Sequence, residues 1–210
     1  MFQNLCANLA LNGLCNVVAH EVGVGREAGR IPVPVLDPRQ EFNFAALAIS
    51  GPTSGTMVKV VRIDDLKLTR CNLIKVDVEG MEVDVLAGAA ATIERFRPVL
   101  FVENNTIERS RPLLEMLQFL NYVAWWHIRS YFNPANFFAT QKRGQEPNAE
   151  RPEGCCAHSV PDPFSENVFE SIQPEANLLC FHKDTPADVD GLVRVMDRDD
   201  DWQKALRRSI

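Results

Sequence analysis

Between residues 72 and 128 the chain alternates apolar runs too short for a helix with segments whose apolar residues recur at helical spacing. No other feature restricts the fold as much. Residues 72–77 form a β-rich apolar run that Gly80 follows closely. Val83, Leu86, Ala90 and Ile93 then fall on one helical face, with Glu82 and Asp84 in a first turn where negative charge complements the helix dipole. Arg97-Pro98 ends that helix, and residues 99–103 form a second strand. Leu113, Leu117 and Leu120 mark a second helix, and residues 122–128 a third strand. Strand, helix, strand, helix, strand is the pattern of crossovers in a parallel sheet covered by helices on both faces, so the chain is read as α/β.

The flanks are less regular. Phe2, Leu5 and Leu9 recur at helical spacing ahead of Asn12-Gly13, a left-handed stop. Residues 17–22 predict a short strand and 23–29 a turn. Residues 30–36 predict an edge piece, because Pro32 and Pro34 cannot donate to a ladder. A Gly/Ser/Thr-rich stretch over 50–56 leads to a second edge strand at 57–63. Residues 141–167, rich in Pro, Glu, Gly and Asn, predict a long surface loop, and 177–182 a last strand. The boundaries that follow are one domain over 1–184 and a polar tail or helix over 185–210, with Asp197 to Trp202 solvated.

Composition removes several function classes. A net charge of −6 with both signs interspersed leaves no basic face for a nucleic acid. No apolar run reaches the length of a membrane span, and no signal segment opens the chain, so a cytoplasmic protein is expected. Six irregularly spaced cysteines read as reduced thiols. Cys155-Cys156-Ala157-His158 has no second ligand pair at zinc spacing, and residues 197–202 lack the glycine of a calcium loop. No metal is therefore expected; Mg²⁺ on Asp77, Glu79 and Glu103 is an option that no spacing demands. Gly23-Val24-Gly25 and Gly29 miss the third glycine of a dinucleotide loop and precede proline-bearing chain, so a phosphate site is rejected.

Ligands of parallel sheets bind at the carboxyl ends of the strands. Asp77, Glu79-Gly80, Glu103-Asn104-Asn105 and His127 all follow or end such strands, and Asn177 joins them if the last strand runs antiparallel. Asp77 and Glu79 are also placed to cap the next helix. Glu103 reads equally as a solvated strand-end carboxylate, and His127, between Trp126 and Ile128, as a partly buried structural imidazole.

The run Ile63-Asp64-Asp65-Leu66, then Leu73 to Glu82 (LIKVDVEGME), Val85-Leu86 and Gly88-Ala89, resembles the signature of FkbM-type methyltransferases. Pro98 to Asn104 resembles the strand that follows it, and Asn8 to Leu14 the helix before the third strand. Trp126-His127 through Asn136-Phe137 resembles the distal portion. The resemblance covers residues 1–138 and 177–182. It implies a class I, Rossmann-like sheet ordered 3-2-1-4-5-7-6, and methyl transfer from S-adenosylmethionine to a hydroxyl of a sugar or secondary metabolite.

On that mapping the first strand, its glycine-rich loop and the acidic end of the second strand are missing, so the chain is expected to be a fragment. The strands at 17–22 and 72–77 would then either pair directly or each leave an open edge. Asp77 would face the cationic donor, Glu79 or His127 would accept the hydroxyl proton, and Glu103, Asn104 and Asn43 would orient a small-molecule hydroxyl acceptor. Glu21 and Val22 would line the adenine slot. The alternative is a non-catalytic binding or interaction module derived from such an enzyme.

Overall fold

The computed structural model describes residues 2–34, 55–129, 174–187 and 189–208. Its first elements are helix α1 (Phe2–Leu11), strands β1 (Gly23–Val24), β2 (Gly29–Val33) and β3 (Thr56–Val61), and a 3₁₀ turn at Ile63–Leu66. Strand β4 (Leu73–Val76), helices α2 (Glu82–Ala87) and α3 (Ala90–Phe96), strand β5 (Val99–Glu103) and helix α4 (Ile107–Phe119) follow. Strands β6 (Tyr122–Arg129), β7 (Glu175–His182) and β8 (Val193–Arg194) and helix α5 (Trp202–Arg208) complete the description. The chain divides into a unit of Met1–His127 with Asn177–Ile210 and a unit of Ile128–Ala176. Of the second, only the end of β6 and the start of β7 are described.

The fold is mixed α/β, and the described residues form two sheets. The larger has the order β4-β5-β7-β6-β8 and the smaller the order β1-β3-β2. β4 and β5 are parallel, with Ile74 opposite Leu100 and Val76 opposite Val102. β7 enters antiparallel to β5, which sets Asn177 opposite Glu103. The β4, β5, β6 and β7 runs, helix α4, the α1 stop at Gly13 (φ 63°) and the Pro32-bearing edge strand β2 all fall where the sequence places them.

Alternation along the larger sheet is strict where it matters. Ile74, Val76, Leu100, Val102, Leu178, Cys180, Tyr122, Ala124 and Trp126 are buried. Their neighbours Leu73, Lys75, Phe101, Glu103, Leu179, Trp125 and His127 are half-buried or exposed. Val85, Leu86 and Ile93 from α2 and α3, with Leu113, Leu114 and Leu117 from α4, complete the buried core. Each such side chain contributes about 1.5–3 kcal/mol by leaving water.

Six expectations are corrected. Residues 17–22 are not a strand; Val18 is 79% exposed, and the pairing lies instead at Gly23–Val24, where β3 offers a ladder. β3 is no edge but the centre of the small sheet. β4 therefore stands at the end of the larger sheet, and direct pairing with residues 17–22 does not occur. The single helix expected through Val83 and Ile93 breaks at Gly88-Ala89. A Cβ on Gly88 would overlap the Gly25 carbonyl, and the freed Gly88 carbonyl accepts the Asp64 N–H at 3.0 Å. Asp64 then caps α3, taking the Thr92 N–H and hydroxyl at 2.8 Å each. Burial alone would raise the Asp64 carboxyl, but these donors, with Ala91 and Arg62, hold it below its ordinary range.

The fifth correction concerns Asp77 and Glu79, neither of which caps α2; its first position is led by Met81 with no side-chain cap. Finally, Asp200 and Asp201 are buried, not solvated, because Arg208 and backbone N–H groups meet their charges. Asn43, the loop at 141–167 and the Cys155-to-His158 cluster lie outside the described residues.

Candidate functional site

Asp77 follows β4 two residues beyond Lys75, on the same side of the pleat, and Lys75 Nζ lies 2.7 Å from Asp77 Oδ2. Glu103 ends the neighbouring parallel strand on that same side. The loop after β4 then doubles back through Glu79 (φ 51°) and Gly80 (φ 97°), both left-handed. Arg109 from α4 holds this loop: its Nη1 donates to the Glu79 carbonyl at 3.2 Å, and a Cβ on Gly80 would run into the guanidinium. The Gly80 N–H is met by Glu82 Oε1 at 2.8 Å.

The result is a convergence of three acids. One carboxylate oxygen from each of Asp77, Glu79 and Glu103 lies within 4.8 Å of the others. Glu103 is pushed up to about 7, first by burial and then by the charges of Asp77, Glu79 and Glu82, and in its acid form it bonds the Asp77 carboxylate. The Glu79 carboxyl is also raised, by burial and by Asp77 and Glu82, with Arg109 pulling the other way. A proton shared within the cluster relieves the repulsion, with Lys75 balancing Asp77 at its outer edge. Three such oxygens also offer a divalent cation hard ligands; no other feature among the described residues points to one.

Beside the cluster lies a cavity of about 290 Å³ lined by Glu79, Gly80, Glu103, Asn104, Asn105 and Arg109, among others. Asn104 is buried, with its Nδ2 on Ser110 Oγ at 3.0 Å. Asn105 Nδ2 donates to Glu103 Oε1 at 2.5 Å. His127 stands on the Glu103 side of the sheet, its ring edge-on to Phe101 at 5.5 Å, and is not part of the cavity lining. Glu21 and Val22 lie in the coil ahead of β1 and do not line it either. The structure thus gathers Asp77, Glu79, Glu103 and Asn104 and leaves Glu21 and Val22 apart. Asn105 was placed at the strand end with Glu103 and Asn104 but given no role, and Arg109 was missed by sequence reasoning. Asn105 carried a signal, as the second amide after a strand-end acid; Arg109 carried none, being one of two arginines on α4.

The family model of the methyltransferase FkbM domain matches residues 1–136, well over half of the chain. The chain belongs to the FkbM methyltransferase family. Methyl transfer is the activity that membership in this family suggests, and the matched span of the FkbM domain contains all three acids and the two amides. Neither the curated proteins nor the solved structures compared with the chain gave a match. Among the described residues no helix is long and apolar enough to cross a membrane.

Proposed function

We propose that this FkbM domain serves S-adenosylmethionine-dependent methylation of a hydroxyl on a sugar or secondary metabolite, with the carboxyl ends of β4 and β5 as its acceptor-facing rim. The observation that carries the reading is the convergence of Asp77, Glu79 and Glu103 beside a cavity lined by two asparagines. The succession β4-β5-β7-β6 with β7 antiparallel to β5 supports it, since the resemblance implies the order 4-5-7-6 for that half of a class I sheet. The fit to the cofactor rests on charge: an acidic rim complements the cationic sulfonium and its ammonium group. The adenine slot proposed at Glu21 and Val22 has no comparable support, since neither residue reaches the cavity.

When bound, the cofactor would supply an electrophilic methyl group for an acceptor hydroxyl. The chain's own work is positioning and proton removal. Asp77 faces the cationic donor. Asn104 and the Glu103 carboxylate orient acceptor hydroxyls. Glu79 or His127 accepts the proton, and Glu103 joins them as an acceptor because its carboxyl titrates at about 7, close to the operating pH.

Calorimetry of the whole chain with S-adenosylmethionine, followed by methyl release with a panel of hydroxylated acceptors, tests this. Binding is expected, with turnover lowered about 10²-fold or more when the proton acceptor is removed, as in Glu103→Gln, Glu79→Gln or His127→Ala. Cooperative unfolding without any cofactor binding would remove the enzyme reading and leave a non-catalytic module.

A further inference from the structure

The family match ends at residue 136, yet the turn that carries Glu103, Asn104 and Asn105 is held by residues far beyond it. Trp202, the first residue of α5, sends its indole N–H to the Asn105 carbonyl at 3.1 Å. The Ser110 hydroxyl accepts from Asn104 Nδ2 and donates to the Asp200 carbonyl, both at 3.0 Å. Asn104 and Ser110 are buried, so neither amide nor hydroxyl has bulk water as a substitute partner.

The anchor is itself fixed. The Asp200 side chain is 1% exposed and takes two bonds from Arg208, at 3.0 and 2.6 Å. It also takes the Met196 N–H at 3.1 Å and the Trp126 indole N–H at 3.2 Å. A buried carboxylate is costly unless donors surround it, and here they do. Through this one residue, α5 is tied to β6, immediately before His127, and to the turn after β5. A polar turn between a strand end and a helix start has little apolar surface to order it, so its geometry depends on such bonds.

We infer that residues 200–208 are a positioning element of the candidate acceptor site, holding the Glu103-Asn104-Asn105 turn through Trp202 and the Asp200 carbonyl. The inference rests on the proposed function only in treating that turn as acceptor-facing.

The test uses the full chain in EDTA with NMR of labelled Asn and Glu side chains. Trp202→Phe keeps the ring and deletes the N–H. The Asn105 side-chain amide signals are expected to move, and the Glu103 titration midpoint to shift by about half a pH unit or more. Leu117→Ala, in the core and away from the turn, serves as a control that lowers stability; it is expected to leave both signals in place. Should Trp202→Phe fail to fold, Ser110→Ala cuts the Asn104–Asp200 bridge and carries the same expectation. Unmoved Asn105 and Glu103 signals in a folded variant overturn the inference, as does an equal shift in Leu117→Ala. These readouts need neither donor nor acceptor. Failure of S-adenosylmethionine to bind therefore sinks the proposed function alone, and unmoved signals with binding intact sink the inference alone.

Discussion

The two faces of the larger sheet come from the same strands and differ in almost everything else. One carries Ile74, Val76, Leu100, Val102, Leu178 and Trp126, each at most 8% exposed. The other carries Lys75, Phe101, Glu103, Leu179 and His127, half-buried or exposed, with Asp77 continuing it past the end of β4. A pleat of period two allows this separation, since neighbouring residues point to opposite sides. Stability is concentrated on the first face, where most side chains are apolar and the buried Tyr122 hydroxyl donates to the Pro98 carbonyl. The acids are concentrated on the second, where partial burial raises the Glu79 and Glu103 carboxyl groups without abolishing their contact with water.

The comparison is broken most forcefully on the buried face. Leu100→Ala, at a residue with no exposure, is expected to cost about 3 kcal/mol in urea unfolding while leaving the Glu103 titration unchanged. On the opposite face Phe101→Ala is expected to cost less, about 2 kcal/mol, because the ring is only half-buried. It also removes the edge contact with His127, so the His127 ring protons should shift in the NMR spectrum.

The smallest effect has the opposite sign. Glu103 is raised from 4.5 to about 7 in the folded chain, so the folded state binds more protons than the unfolded state between those values. Its contribution to stability is full below 4.5 and lost as pH rises through 7. Glu103→Gln is therefore expected to stabilise the chain by about 1 kcal/mol at about pH 8, discounted for the group's partial exposure, and to change nothing at about pH 4. Unfolding curves at the two pH values check this. Equal effects at both would mean that the acid cluster does not perturb Glu103.

Legibility followed the range of the interactions. β4, β5, β6 and β7 were readable because apolar runs of strand length advertise themselves locally. The strand at 17–22 was misread because valines favour a strand only if a neighbour accepts their ladder, and β3 pairs with Gly23–Val24 instead. The helix break at Gly88-Ala89 was hidden for a similar reason: the residue that caps α3, Asp64, lies 28 positions before Thr92. Within the candidate site, Asp77, Glu79, Glu103 and Asn104 were readable from their places at strand ends. Arg109 and Asp200 were not, because their roles depend on partners 30 and 90 residues away.

By itself, then, the sequence determined the alternation of strands and helices over 72–128, the acids that end two of those strands, and the family to which they belong. Periodicity and local chemistry are enough for that. Only the tertiary structure decided that Asp77, Glu79 and Glu103 meet within 4.8 Å, that His127 turns to Phe101, and that a polar C-terminal segment is buried against the Asn104-Asn105 turn. Each of these depends on which strands become neighbours and on which long-range donors meet a buried charge, quantities that no local window of residues contains.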